Sequence, residues 1–251
     1  MAISLRKPAE IEKLRVAGSI VGKTLNHLKL IVKPGMTLNE INDIADKYIR
    51  DLGAVPSFLN LYGFPGSICT SLNEVCIHGV PDDTVIKEGD ILGIDIGSKI
   101  DGYYGDAAIS IPIGKISDED QALLSCSEDA LNHAIESIKP GMRFKELSKI
   151  LEDFIIGRGF VPLRDYCGHG IGTKPHEDPN IPNYLEGKEK QGPKIKNGMV
   201  FCLEPMVCQK GSSPVLLDDK WSVLSDDGLR TSHHEHEIAV VDGKAVVLTK
   251  V

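Results

Sequence analysis

The chain has 251 residues, enough for one large domain or two small ones with a core of useful size. Its 36 acidic residues outnumber its 28 basic ones, and the net charge of −8 argues against nucleic acid as a main partner. The opening MAISLRKPAEIEKLRVAG is charged throughout, unlike a signal peptide, and no run is long and apolar enough to span a bilayer. The cysteines Cys69, Cys76, Cys126, Cys167, Cys202 and Cys208 include no Cys-x-x-Cys pair, so they read as reduced thiols of a cytoplasmic protein rather than as staples or a structural zinc site.

From Pro8 to about Leu30 the spacing predicts a helix, with Ile11, Leu14, Ala17, Val21, Leu25 and Leu28 on one face. Lys33-Pro34-Gly35-Met36 follows, and then a second helix is predicted to Leu52. Thr37 and Glu40 have the spacing of a capping box, Leu38, Ile41, Ala45, Tyr48 and Ile49 form its buried stripe, and Gly53 ends it.

Gly89 to Ile111 reads as two antiparallel strands around Asp101-Gly102, a dipeptide that favours a tight reversal. With Ser98 opposite Tyr103, Asp95 faces Asp106 directly, at a Cβ separation of about 4.5–5.5 Å. Two ionised carboxylates that close need compensation: a shared proton, a basic side chain or a bound cation. The stretch contains no Arg. An exposed edge carrying two solvated acids is the alternative.

The text of the first half recurs. Lys33, Pro34, Gly35, Met36, Glu40, Ile44, Gly53, Val55 and Pro56 reappear as Lys139, Pro140, Gly141, Met142, Glu146, Ile150, Gly159, Val161 and Pro162, at one constant offset (33 to 139). That is the signature of a duplication. A second repeat helix is expected with Phe144, Leu147, Ile150, Leu151, Phe154 and Ile155 on its stripe. Lys87-Glu88-Gly89-Asp90 aligns with Lys196-Asn197-Gly198-Met199, which sets Glu204 where Asp95 stands, and the following strand carries Glu235 where the first half has Asp106. Halves packed about a pseudo-twofold axis bring Asp95, Asp106, Glu204 and Glu235 together, and four acids in a shielded site require cations. This favours a metal site over a solvated acidic surface.

His169 lies between glycines in Gly168-His169-Gly170, where the backbone comes close to a neighbour, and imidazole is a common ligand of divalent transition metals. Beside four acids it reads as a ligand. His78 and His176 have no spacing that demands ligation; they read as donors to a substrate or as turn and surface residues. His233, His234 and His236 are left out, because along a strand His234 and His236 point away from Glu235. No His-Glu-x-x-His occurs.

These residues resemble the type I methionine aminopeptidases, a branch of the pita-bread metallopeptidases. The resemblance runs over essentially the whole chain. It is carried by Ser71-Leu72-Asn73-Glu74, His78-Gly79, Gly93-Ile94-Asp95, Gly102-Tyr103-Tyr104-Gly105-Asp106, Gly168-His169-Gly170-Ile171-Gly172, Glu204-Pro205-Met206 and Glu235-His236. It implies an α+β pita-bread fold: a single domain over 1–251, with pseudo-twofold halves at about 31–115 and 137–245 and an antiparallel sheet covered by helices. It implies two divalent metals (manganese, iron, cobalt or zinc) on Asp95, Asp106, His169, Glu204 and Glu235, with Asp106 and Glu235 bridging. It implies removal of the N-terminal methionine from new polypeptides by a monomer, with the ribosome a plausible docking partner and no membrane involved.

In that chemistry Glu204 shuttles a proton, His176 donates to the oxyanion and His78 donates to the scissile amide. On that resemblance the methionine side chain would rest on Phe58, Leu61, Phe64, Cys69 and Trp221. Two residues depart from the family pattern: Glu237 stands where relatives often have Thr, and Pro175 where they often have an aromatic. An Xaa-Pro-cleaving peptidase of the same fold and a metal-free binding module are the rival readings. A mononuclear iron oxygenase is more distant, since its facial triad wants two histidines and one carboxylate.

Overall fold

A computed structural model describes residues 3–139 and 141–250. Pro140, one of the repeated positions, lies outside the described residues. Helix α1 spans Pro8–Ile31, with proline at a position where no amide partner is needed, and it buries Ile11, Leu14, Ala17, Val21, Leu25 and Leu28. Helix α2 spans Leu38–Asp51 and opens as expected: Glu40 N–H donates to Thr37 Oγ1 at 3.1 Å, and Thr37 N–H donates to Glu40 at 2.8 Å. Leu38, Ile41, Ala45 and Ile49 face the core, with Tyr48 half-buried.

Helix α3, Asp118–Ser137, was not anticipated from the sequence. Three acids follow its Ser117 cap, so its start carries no apolar signal, but Leu123, Leu124, Ala130, Leu131 and Ala134 are buried. Helix α4, Phe144–Gly157, is the second repeat helix, burying Phe144, Leu147, Leu151 and Ile155; Ile150 and Phe154 are half-buried. The order long helix, short helix, strands therefore occurs twice.

The repeated loops behave alike. Gly35 and Ile86 exchange backbone bonds with the turn before α2, and Gly141 and Ile195 do the same before α4: Gly35 N–H to Ile86 O at 2.9 Å and Gly141 N–H to Ile195 O at 3.2 Å. Ile86 N–H returns to Met36 O at 2.9 Å and Ile195 N–H to Met142 O at 2.7 Å.

The first half builds a four-stranded antiparallel sheet around strand Ile91–Ile100, which pairs with Val55–Pro56, Cys69–Leu72 and Tyr103–Pro112. The second half builds a five-stranded sheet in the order Lys244–Val247, His236–Val241, Val200–Leu203, Cys167–Gly170, Glu177–Pro182. Helices α1 and α2 pack on the first sheet around Ile94, Ile96 and Ala107, and α3 and α4 on the second around Phe201 and Ile238. Helix α1 also reaches across to Ile171, Val200 and Ala239 of the second half. Its backbone runs so close to Gly105 that a Cβ there would stand 2.5 Å from the carbonyl carbon of Ala17, which is why that strand position carries no side chain.

The hairpin register differs from the sequence reading. Asp101 and Gly102 both have positive φ, 49° and 80°, so the loop contains those two residues alone and Ile100 pairs with Tyr103. Asp95 then pairs with Ala108 and Asp106 with Gly97. The two acids are diagonal neighbours rather than directly opposed. Because the shift is two residues and not one, they keep the same face.

A candidate metal centre

The first-half acids sit within continuous ten-residue strands. The second-half acids sit at breaks. Glu204 follows strand Val200–Leu203 of the five-stranded sheet and precedes Met206–Cys208, which belongs to a three-stranded one; Glu235 lies between Thr231–His233 of that smaller sheet and His236–Val241 of the larger. The halves are joined at this seam. Glu235 N–H donates to Ala108 O at 2.8 Å, and Ser110 Oγ donates to His233 O while accepting from His233 N–H, each at 2.9 Å. Tyr104 N–H donates to Gly172 O at 3.0 Å, tying the His169 loop to the same strand.

All five expected ligands, Asp95, Asp106, His169, Glu204 and Glu235, line one cavity of about 320 Å³. Ligand atoms of Asp106, His169, Cys202 and Glu235 lie within 4.8 Å of one another, as do those of Glu204, His233 and Glu235. His169 Nε2 is 3.4 Å from Glu204 Oε1, and its Nδ1 contacts Gly170 O at 3.0 Å, which directs Nε2 into the cavity.

Burial pushes Asp95 up to about 7. It raises Asp106 strongly, helped by the charges of Glu235, Asp95 and Glu237, and it raises Glu204 and Glu235 strongly, helped by the neighbouring acids. The same burial, with His176 alongside, lowers His169 to about 3, so the ring is neutral and able to ligate. Asp95 Oδ1, Asp106 Oδ1 and Glu235 Oε1 are buried without a hydrogen-bond partner. Lone pairs orphaned in this way, on acids that resist ionisation together, fit a site completed by divalent cations.

Around the acids stand the other predicted residues. His78, with φ 58°, packs edge-on against Tyr166 at 5.7 Å between ring centres. His176 is edge-on to His169 at 4.4 Å and stacks on Tyr62 at 6.3 Å. Phe58, Leu61, Phe64, Cys69 and Trp221 cluster at the apolar end of the cavity, with the Phe64 and Trp221 rings edge to face at 5.2 Å. Pro175 is half-buried and absent from the cavity lining. Glu237 is fully buried behind the ligands, opposite Cys202 in the sheet; burial favours its uncharged form, against a smaller opposing pull from the Asp106 backbone.

The sequence reading passed over Tyr62, Tyr166 and Asn180, which line the cavity, and over His233. Strand parity was the available signal for His233, two positions before Glu235. His234 does stay out: its Nδ1 is 2.7 Å from Ser127 Oγ beneath α3. His236 Nδ1 is likewise held away, at 2.8 Å from Thr249 Oγ1.

A duplicated helix-and-sheet frame with carboxylates and an imidazole at its seam defines a class of metal-dependent peptidase, and the comparisons agree. The sequence profile of metallopeptidase family M24 matches residues 12–242, and the chain belongs to this family. It is 59% identical to a methionine aminopeptidase of Helicobacter pylori (strain ATCC 700392 / 26695) over the full length of both chains, and 42% identical to methionine aminopeptidase 1 of Bacillus subtilis (strain 168), covering 99% of this chain and 100% of that one. The crystal structure of a methionine aminopeptidase from Thermotoga maritima superposes with a TM-score of 0.97 at 35% identity, covering all of both chains. A prolidase from Pyrococcus furiosus shares the fold at a TM-score of 0.80 and 24% identity, with this chain covering 65% of it. All six cysteines are free thiols, and among the described residues no helix is long and apolar enough to cross a membrane.

Proposed function

We infer that the chain is a methionine aminopeptidase, hydrolysing the peptide bond that follows an N-terminal methionine. The observation that carries the reading is a single cavity with an apolar end, formed by Phe58, Leu61, Phe64, Cys69 and Trp221, and an acidic end formed by Asp95, Asp106, Glu204 and Glu235. The apolar end suits an unbranched thioether side chain, and the acidic end suits cations and a free α-amine.

Asp95, Asp106, His169, Glu204 and Glu235 would hold two divalent ions. When bound, the ions supply a water acidic enough to act as hydroxide near neutral pH. Glu204 takes the proton from the attacking water and carries it toward the leaving amine. His176, at the mouth beside His169, donates to the oxygen that gains charge in the tetrahedral intermediate. His78, held in a left-handed backbone conformation against Tyr166, donates to the scissile amide. The substrates are new polypeptides, met at the ribosome or after release, and the chain acts as a monomeric single domain in the cytoplasm.

The test is hydrolysis of Met-Gly-Met against an Ala-Pro peptide. Cleavage of Met-Gly-Met with little turnover of Ala-Pro supports the reading, and the reverse preference assigns the chain to the Xaa-Pro branch. Metal-independent binding of either peptide without hydrolysis would leave a binding module.

A further inference from the structure

The five-residue ligand set contains one imidazole, His169. A second imidazole faces the same acids. His233 ends strand Thr231–His233, is 4% exposed, and its Nε2 has no hydrogen-bond partner. That nitrogen stands 3.9 Å from Glu204 Oε2 and 4.0 Å from Glu235 Oε2. Glu204 is therefore flanked, with Oε1 beside His169 and Oε2 facing His233. The backbone of His233 is fixed from both sides: Ser110 Oγ bonds its N–H and its carbonyl, and Met206 is its strand partner.

Three roles are open to such a nitrogen. As a purely packed ring it would leave a buried polar atom without a partner, which is costly. As a hydrogen-bond donor to Glu204 it would have to close to about 2.7–3.2 Å, nearly an ångström nearer than it stands. As a ligand it already stands at a suitable separation: two ligand atoms about 2.1 Å from one cation are about 3.0 to 4.2 Å apart for angles between about 90° and 180°. Both of its carboxylate distances fall inside that span.

We propose that His233 Nε2 is a direct ligand of the cation held by Glu204 and Glu235. The proposal rests on the metal reading above and adds a statement about metal choice. A second imidazole moves one position of the pair away from the oxygen-rich surroundings that suit manganese toward those that suit cobalt, iron or zinc.

The test strips the full chain with a chelator and titrates cobalt(II), and separately manganese(II), by calorimetry into wild type, His233→Gln and His233→Leu. Glutamine keeps an N–H donor of similar reach but lacks the imidazole nitrogen. Both variants are expected to keep the wild-type circular dichroism and to bind one cobalt(II) at least about tenfold more weakly, with a smaller change for manganese(II). X-ray absorption of wild type carrying cobalt(II) is expected to show scattering from two imidazole rings per chain, falling to one in His233→Leu. Wild-type cobalt affinity in His233→Leu, which offers no ligand atom, would overturn the proposal. A wild-type spectrum with a single imidazole per chain would overturn it whatever the variants do. A wild-type chain that takes up no divalent ion would remove the metal reading itself, an outcome distinct from two ions bound with one imidazole.

Discussion

The two halves of the molecule build their acids differently on the same repeated frame. In the first half Asp95 and Asp106 stand in the middle of an unbroken hairpin, on short side chains whose place is fixed by a two-residue turn. In the second half Glu204 and Glu235 stand at the two breaks where the chain passes between sheets. There the side chains are one methylene longer, and His169 and His233 stand beside Glu204. The rigid half sets the position of the site, and the broken half supplies reach and imidazole nitrogen.

The sharpest way to break this comparison is at the rigid half. Asp106→Ala is expected to lose one or both metals and to drop hydrolysis to background, because the remaining acids then face one another with less compensation. Metal analysis of the purified variant checks it; full occupancy would contradict the bridging role. Next in size is His176→Ala, expected to fold and keep its metals while losing about 10²–10³ in kcat. Undiminished turnover there would remove His176 from the chemistry.

A smaller effect is expected at Gly97, the strand partner of Asp106. A Cβ there would stand 2.1 Å from Ser57 Oγ and 2.4 Å from a ring carbon of Phe58. Gly97→Ala should therefore displace Phe58, destabilise the chain by about 1–3 kcal/mol and raise KM for methionyl peptides with the metals retained. Thermal melts and steady-state kinetics on the loaded enzyme check this, and an unchanged KM would separate Phe58 from the substrate pocket.

The smallest expected effect is a dependence of stability on pH in the chelated protein. Asp95 is raised by burial to about 7 from 3.8, so the folded state holds a proton that the unfolded chain has already released at intermediate pH. Stability from this group is complete below the unfolded value and declines as pH rises through the folded one. The buried histidines, His169 lowered to about 3 from 6.5 among them, act with the opposite sign below pH 6.5, so the melting temperature of the chelated chain should fall as pH rises above about 6.5, where the raised acids act alone, and divalent ions should recover more stability at pH 8 than at pH 5. A chelated chain equally stable across that range would show that Asp95 is not desolvated.

Much of this arrangement was legible from residues alone, where the signal was local or repeated. The Thr37–Glu40 box, the α1 stripe and the constant offset between the Lys33-Pro34-Gly35-Met36 loop and its second copy each follow from short-range chemistry. The convergence of acids from both halves followed from that offset. What escaped was either unmarked locally or carried only a weak mark. The hairpin register turned on whether the loop holds two residues or more, and the error of two positions was harmless only because side chains alternate with period two. Helix α3 was hidden by a polar first turn and became recognisable through its packing on the second sheet. His233 was set aside with its neighbours, although the parity that removes His234 places His233 on the side of Glu235. The break between His233 and His236, where the chain changes sheet, decides its direction, and no residue pattern announces that break.

The central claim is that acids from two halves make one cation-dependent hydrolytic site. The most direct measurement is Met-Gly-Met hydrolysis by the chelated chain, with manganese, iron, cobalt and zinc returned one at a time and the bound metal counted. The account predicts no turnover after chelation and recovery as ions are returned, saturating at two per chain. Full turnover by a chain shown to be free of metal would contradict it.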